Sequence, residues 1–338
     1  MQLPIRMPGL GHVNMYCFVD DRGAAVLDPG LPGEPNWEAI QDRLRKADLD
    51  VRHIHTVVIT HSHVDHFGGA ARFRAETGCR VIAHEAFTLF GGKPYQPHLE
   101  VSVEHLETMG PTPVPEGAGP EIVPWWMRGE GPRPLAPWGG ARPAPDAEQR
   151  RQWEAGLDVT KLIPRLTHTV RHGSSIRLAG RDFFVWHTPG HTADHLCMVD
   201  PEEGLFFAGD HVLPSITPHI SGLGETPDPL QAYCDSLDRV LEVGPVALCL
   251  PAHGHPFADL PGRVHAIKRH HTERLEKLKA ISKRLGTATV EQLSQELFHP
   301  RNWGPGAESE TYAHLEHLRL RAELERRRRE DGFFVYTA

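Results

Sequence analysis

Six consecutive positions, His61-Ser62-His63-Val64-Asp65-His66, hold four side chains of the types that bind metal ions. Imidazole and carboxylate donors suit divalent transition metals. His61 and His63 are two apart, so an extended strand end or turn can aim both rings at one point. Asp65 and His66 follow where the chain must turn, and can face a neighbouring point. Packed together without a cation, these groups would be polar side chains with no evident partners. The spacing therefore predicts a metal site.

Three later stretches repeat one pattern, an apolar run and then a ligand-type residue beside glycine. His191 follows Phe184-Val185-Trp186-His187-Thr188-Pro189-Gly190, Asp210 follows Leu205-Phe206-Phe207-Ala208-Gly209, and His253 lies in Leu250-Pro251-Ala252-His253-Gly254. Glycine permits close backbone approach and unusual dihedrals. Any one of these residues alone would read as a surface or capping group. Together with the first motif they bring the count to seven, enough for two metal ions sharing one carboxylate.

These residues need strands that end at a common place. Residues 13–28 read as a hairpin around Asp20-Asp21-Arg22-Gly23. Trp37, Ile40 and Leu44 mark a helix through Lys46. The short apolar run 54–60 reads as a strand buried on both faces, directly before the histidine motif. A helix is expected through Gly69 to Thr77, then a strand at 80–83. Further strands are expected at 175–179, 182–187, 195–199, 204–208 and 246–250. Alternating strands and helices argue for an α/β arrangement. From Pro261 apolar residues recur at spacings of three and four up to Gly286. Two more helices are expected at Thr289–Leu297 and Ala313–Leu324, with a strand at Phe333–Tyr336. Three helices and a terminal strand predict a small winged-helix-like domain over 261–338.

The set of motifs resembles the metallo-β-lactamase superfamily of metal-dependent hydrolases, over roughly residues 1–258, with a poorly matched insertion at about 91–165. The resemblance implies an α+β fold, an αββα sandwich, with the site at one edge between two sheets. It implies that His61, His63 and His191 bind one metal ion, that Asp65, His66 and His253 bind a second, and that Asp210 bridges. Asp28, in Leu27-Asp28-Pro29-Gly30, matches the family's first motif and would support the histidine ligands. Zinc β-lactamases usually lack the histidine corresponding to His66, so β-lactam cleavage is not expected. Residues 261–338 resemble the winged-helix tail of lactamase-like proteins that include an endoribonuclease group, carried by Arg269-His270-His271-Thr272-Glu273-Arg274 and Ala313-His314-Leu315-Glu316-His317-Leu318.

The chemistry expected is hydrolysis by a hydroxide held between two divalent cations, zinc in the first instance and iron or manganese as alternatives. Asp65 and Asp210 would orient that nucleophile. The substrate expected is a small-molecule thioester, lactone or other ester. An RNA phosphodiester is the alternative, with the basic tail as its holder. A non-catalytic protein retaining a structural metal is disfavoured, because closed structural zinc sites commonly use cysteine and none is placed to join. His211, Thr217 and His219 follow Asp210 in a loop and are candidate substrate contacts. Trp125, Trp126 and Trp138 are candidates for a lid. They lie in residues 111–145, where ten of 35 positions are proline and six are glycine, too many for long helices.

The chain has 338 residues, 24 of them histidine, and a formal net charge of −8. Residues 261–338 carry 15 Lys+Arg against 11 Asp+Glu, so the charge divides as +4 there and −12 elsewhere. Arg326 to Arg329 are read as a solvated helix end, or alternatively as a phosphate-contacting patch. Five scattered cysteines predict free thiols rather than disulfides. The absence of a long apolar run argues against a membrane span. The lack of a recognisable signal places the chain in the cytoplasm, taken as unprocessed. A homodimer is a further expectation from the family.

Overall fold

The computed structural model describes residues 1–7, 11–89, 112–113, 135–140, 163–224 and 226–338. Two sheets carry the ligand loops. The first runs β1 (Gln2–Met7), β2 (Gly11–Asp20), β3 (Gly23–Leu27), β4 (Ile54–Val58), β5 (Arg80–His84), then β7 (His168–Val170) and β6 (Thr112–Pro113). Its centre, β3-β4-β5-β7, is parallel, and its flanks are antiparallel. The second sheet has the order β12 (Leu248–Pro251), β11 (Leu205–Gly209), β10 (Leu196–Asp200), β9 (Arg181–His187), β8 (Ser175–Leu178). Here only the β11–β12 pair is parallel.

The sheets face each other through one apolar layer. Tyr16, Phe18, Leu27, Val58 and Ile82 meet Phe183, Val185, Leu196, Met198 and Phe207. Phe18 packs at 5.0 Å from Phe183 and 5.2 Å from Phe207, with tilted rings that suit their quadrupoles. Outside the first sheet lie α1 (Glu34–Lys46) and α3 (Ala70–Thr77), which bury Trp37, Ile40, Leu44 and Phe73. Outside the second lie α4 (Pro229–Val240) and the start of α5 (Leu260–Leu285), which bury Leu230, Tyr233, Leu237, Val264 and Ile267. The order of layers is therefore helix, sheet, sheet, helix, as expected.

The C-terminal region follows as α5, β13 (Ala288–Thr289), α6 (Val290–Leu297), α7 (Pro305–Leu320), β14 (Glu325–Arg328) and β15 (Phe334–Thr337). Its strands pair in the order β13-β15-β14, all antiparallel. Thr289 caps α6 and exchanges bonds with Gln292 in a capping box. Packing does not change at the expected boundary near 258–261. The first turns of α5 belong to the core of the second sheet, while Leu278 of the same helix belongs to the C-terminal core.

Three expectations need correction. The last helix ends at Leu320 rather than Leu324. Arg326 to Arg328 lie in β14, an edge strand, so the four arginines are not a helix end. Pairing with β15 overrides the weak strand propensity of arginine. Trp138 is 3% exposed and sits in the C-terminal core, its Nε1 donating to Glu308 Oε2 at 3.1 Å. A ring so enclosed has no free face for a substrate lid. Trp125 and Trp126 lie outside the described residues. The strands β1, β6, β7 and β13 and the helix α4 were not anticipated.

Candidate metal centre

Each ligand-type residue stands just past the end of a strand. β4 ends at Val58, and His61 and His63 follow in a short turn. α2 (Val64–Phe67) then begins and carries Asp65 and His66 on its first turns. β9 leads into the turn holding His191. β11 and β12 run parallel, so Asp210 and His253 emerge side by side, with Ala252 N–H donating to the Gly209 carbonyl at 2.9 Å. Gly209 is needed here. Its φ is +50°, and a Cβ would come within 2.6 Å of His195 Nε2. Gly190, beside His191, lies against the Tyr233 backbone, which a Cβ would meet at 2.4 Å.

The side chains converge as two groups. His61, His63, His191 and Asp210 form one, and Asp65, His66 and His253 form the other. His61 Nε2 and His191 Nε2 each lie 3.0 Å from His63 Nδ1. Asp65 Oδ2 lies 3.3 Å from His66 Nε2 and 3.2 Å from His253 Nε2. Asp210 faces both groups, with Oδ2 3.6 Å from His191 Nε2 and Oδ1 3.4 Å from His253 Nε2. Donors arranged tetrahedrally at 2.0–2.1 Å from one zinc ion stand about 3.3 Å apart, so these spacings suit a shared cation.

The outer hydrogen bonds fix which nitrogen each ring turns inward. Asp28 has a φ of +54°, a left-handed turn that aspartate tolerates, and its carboxylate points back at the motif. It accepts from His66 Nδ1 at 2.9 Å, from Thr60 N–H at 2.8 Å and from the Thr60 hydroxyl at 2.7 Å. The Thr60 hydroxyl has then spent its proton, so it accepts from His61 Nδ1 at 3.0 Å. His191 Nδ1 donates to the His219 carbonyl at 2.7 Å, and His253 Nδ1 to the His12 carbonyl at 2.8 Å. Four rings thus turn their Nε2 towards the centre. His66 Nε2, His253 Nε2 and Asp210 Oδ1 are buried and have no hydrogen-bond partner there. Converging lone pairs with nothing to donate to them are a cation's donor set.

Electrostatics agree. Burial lowers His63, and the neighbouring His191 lowers it further, to about 3. His61 falls well below the usual histidine range through burial and the rings around it. Burial would raise Asp210, but His66, His253 and His191 outweigh it and hold the carboxyl at about 2. Burial would lower His66, yet Asp65, Asp210 and Asp28 raise it well above its ordinary value. The carboxylates therefore favour positive charge at His66, while the crowded rings of His61 and His63 resist protonation.

All seven ligand-type residues and Asp28 come together. The loop residues do not behave alike. His211 is fully buried, with its ring between those of His195 and Tyr233 at 5.8 and 5.0 Å, so it cannot reach a substrate. Thr217 is half-buried in the segment between β11 and α4. His219 contributes its carbonyl to His191, and its ring is part-exposed. Sequence reasoning overlooked His195 and Asp194. His195 Nε2 accepts the Asp210 N–H at 3.0 Å, and Asp194 Oδ1 accepts from Ser62 Oγ at 3.0 Å. Both sit in the His191–His195 stretch, and the pattern Asp-His within it was the available signal.

Residues 8–282 match the family model described as the metallo-beta-lactamase superfamily. The chain belongs to the metallo-β-lactamase superfamily. Among its relatives, the lactamase-like protein aptB of Emericella nidulans is 24% identical over 279 residues, 82% of this chain. The chain spans 62% of the length of that relative. An atrochrysone carboxyl ACP thioesterase of Paecilomyces divaricatus is 31% identical over 131 residues, 37% of this chain and 39% of its own. A metallo-beta-lactamase family protein from Thermus thermophilus superposes with a TM-score of 0.75 and 26% identity, covering 100% of this chain and 97% of that one. Family membership and the two convergent His/Asp groups together mark this as a centre that could hold divalent metal.

Proposed function

We propose that this hydrolase holds two divalent cations and cleaves the thioester of a small acyl group, with lactones and other esters as neighbouring substrates. The observation that carries the two-cation count is Asp210, whose two oxygens face His191 on one side and His253 on the other. When bound, the cations supply a Lewis acid for the scissile carbonyl and bring the pKa of water from 15.7 towards about 7. His61, His63 and His191 would hold one cation and Asp65, His66 and His253 the other, with Asp210 placed between the two groups. Asp65 and Asp210 would accept hydrogen bonds from a water at the centre and so orient it. Histidine-rich donors with some carboxylate suit zinc, and iron or manganese fits the same set.

A protein thiol is a poor rival nucleophile. All five cysteines are free, and burial pushes Cys17 to about 11, Cys234 to about 11 and Cys197 to about 12. The thioester class is supported by relatives that are named thioesterases.

The phosphodiester reading draws on the exposed arginines of β14. Arg326 is paired with Glu316, Arg327 with Glu325 and Arg329 with Asp331, so their charge is already partly answered. Purified protein loaded with zinc should be assayed on acyl thioesters, lactones and short RNA, with metal content measured on the same sample. Two equivalents of metal and preferred thioester turnover are expected. Preferred cleavage of RNA would replace this reading, and a single tightly bound metal ion would end the two-cation count.

A further inference from the structure

Residues 211–228, between β11 and α4, form no helix or strand among the described residues, yet they supply the His219 carbonyl that orients His191. Loops of this kind drift unless something fixes them. Here the C-terminal helices do so. Arg263 of α5 donates from Nε to the Leu213 carbonyl at 2.5 Å and from a terminal nitrogen to the Ile216 carbonyl at 2.7 Å. Ser309 of α7 accepts the Gly222 N–H twice, on its carbonyl at 3.2 Å and on its hydroxyl at 3.1 Å. That hydroxyl also meets Ser221 Oγ at 3.1 Å. Gly222 has no room for a side chain, since a Cβ would stand 2.6 Å from the Tyr312 ring.

The contact to His219 itself comes from Glu310 of α7. Its Oε2 lies 3.2 Å from His219 Nδ1, and its Oε1 is paired with Arg274 of α5. Glu310 is only 8% exposed. Its own carbonyl accepts from His314 Nδ1 at 2.7 Å, and His314 Nε2 lies 3.0 Å from His271 Nδ1. Both carboxylate oxygens are thus committed, one to an arginine that holds Glu310 still and one to His219.

We infer that Glu310, braced by Arg274, is a positioning residue for the metal centre, setting the orientation of His191 through His219. The route is short: Glu310 fixes the His219 ring, the ring fixes its backbone, and the His219 carbonyl receives the His191 Nδ1–H. Outer hydrogen-bond partners of metal-bound histidines tune affinity by about 10–100-fold. Glu310 acts one residue further out, so its removal should weaken the cation of the His61, His63, His191 group by about tenfold or somewhat less. The C-terminal region is then part of the metal centre's support rather than an appendage to it.

The inference rests on the reading of these residues as a metal centre and on no particular substrate. Full-length wild type, Glu310→Ala, Glu310→Gln and Arg274→Met should each be stripped with chelator and titrated with Co2+ and with Zn2+. The visible absorption of the cobalt form reports on ligand geometry directly. Glu310→Ala and Arg274→Met should bind one cation more weakly and show shifted cobalt bands. Glu310→Gln should recover much of the wild-type spectrum, because its amide oxygen can still accept from His219. Variants with wild-type cobalt bands and affinities, even if less heat-stable, would reduce Glu310 to a packing role and overturn the inference. Failure of the wild type itself to bind cobalt or zinc would instead overturn the metal-centre reading beneath it.

Discussion

Asp28 is the clearest case of one side chain serving several others. It accepts from His66 directly and from His61 by way of Thr60. Asp28→Asn should lower metal affinity by about 10–100-fold while leaving the fold intact, as measured by zinc competition titration and circular dichroism. Asp194 is subject to a different balance. Burial raises its pKa to about 6, against bonds from Thr192 and Ser62 that lower it. A carboxyl raised above its unfolded value stabilises the fold below about pH 4 and loses that contribution as pH climbs through about 6. Asp194→Asn should therefore gain stability relative to wild type between pH 4 and pH 7.5, by up to about 3 kcal/mol, in paired denaturant titrations. A constant difference across that range would contradict the buried, proton-holding carboxyl. The ligand-type residues were legible because four of them fall within six positions and the rest follow apolar runs beside glycine. His195 was not, because its role exists only where β10 and β11 bring its ring under the Asp210 amide.

Elements position these groups by register. The β11–β12 pairing sets Asp210 beside His253, and the Asp28 N–H donating to the Val58 carbonyl sets Asp28 beside the histidine turn. Most strands could be read from short apolar runs bounded by turn residues. β1 was missed because it contains Pro4 and lies at a sheet edge. α4 was missed although its signals were present. Asp228 caps Gln231 N–H at 2.9 Å, Pro229 takes the first turn, and Leu230, Tyr233, Leu237 and Val240 share a face. That face covers the second sheet from the outside, so Leu237→Ala should cost about 2–5 kcal/mol in urea unfolding. β14 shows the opposite failure. Four arginines in a row give no strand signal, and only the partner β15 makes them one.

Among the described residues four apolar clusters hold the molecule together, and the helix α5 belongs to two of them. No helix among the described residues is long and apolar enough to cross a membrane. Metal removal should be felt globally, because a ligand bound only by the folded state stabilises it by RT ln(1 + [L]/Kd). At free zinc about 100-fold above Kd that amounts to about 2.7 kcal/mol per ion. Scanning calorimetry in excess chelator should therefore show a midpoint lower by about 5 °C or more, recovered on adding zinc. An unchanged midpoint would mean that the cluster binds no metal of consequence to the fold.

His61, His63, Asp65 and His66 leave the first sheet, whereas His191, Asp210 and His253 leave the second. Cations held by these residues would therefore tie one sheet to the other across the site. Chain that meets a shortage of metal would keep the apolar layer between the sheets and lose only that tie. The ligand turns would then open more readily than the strands behind them, and amide hydrogen exchange with and without zinc would measure the difference.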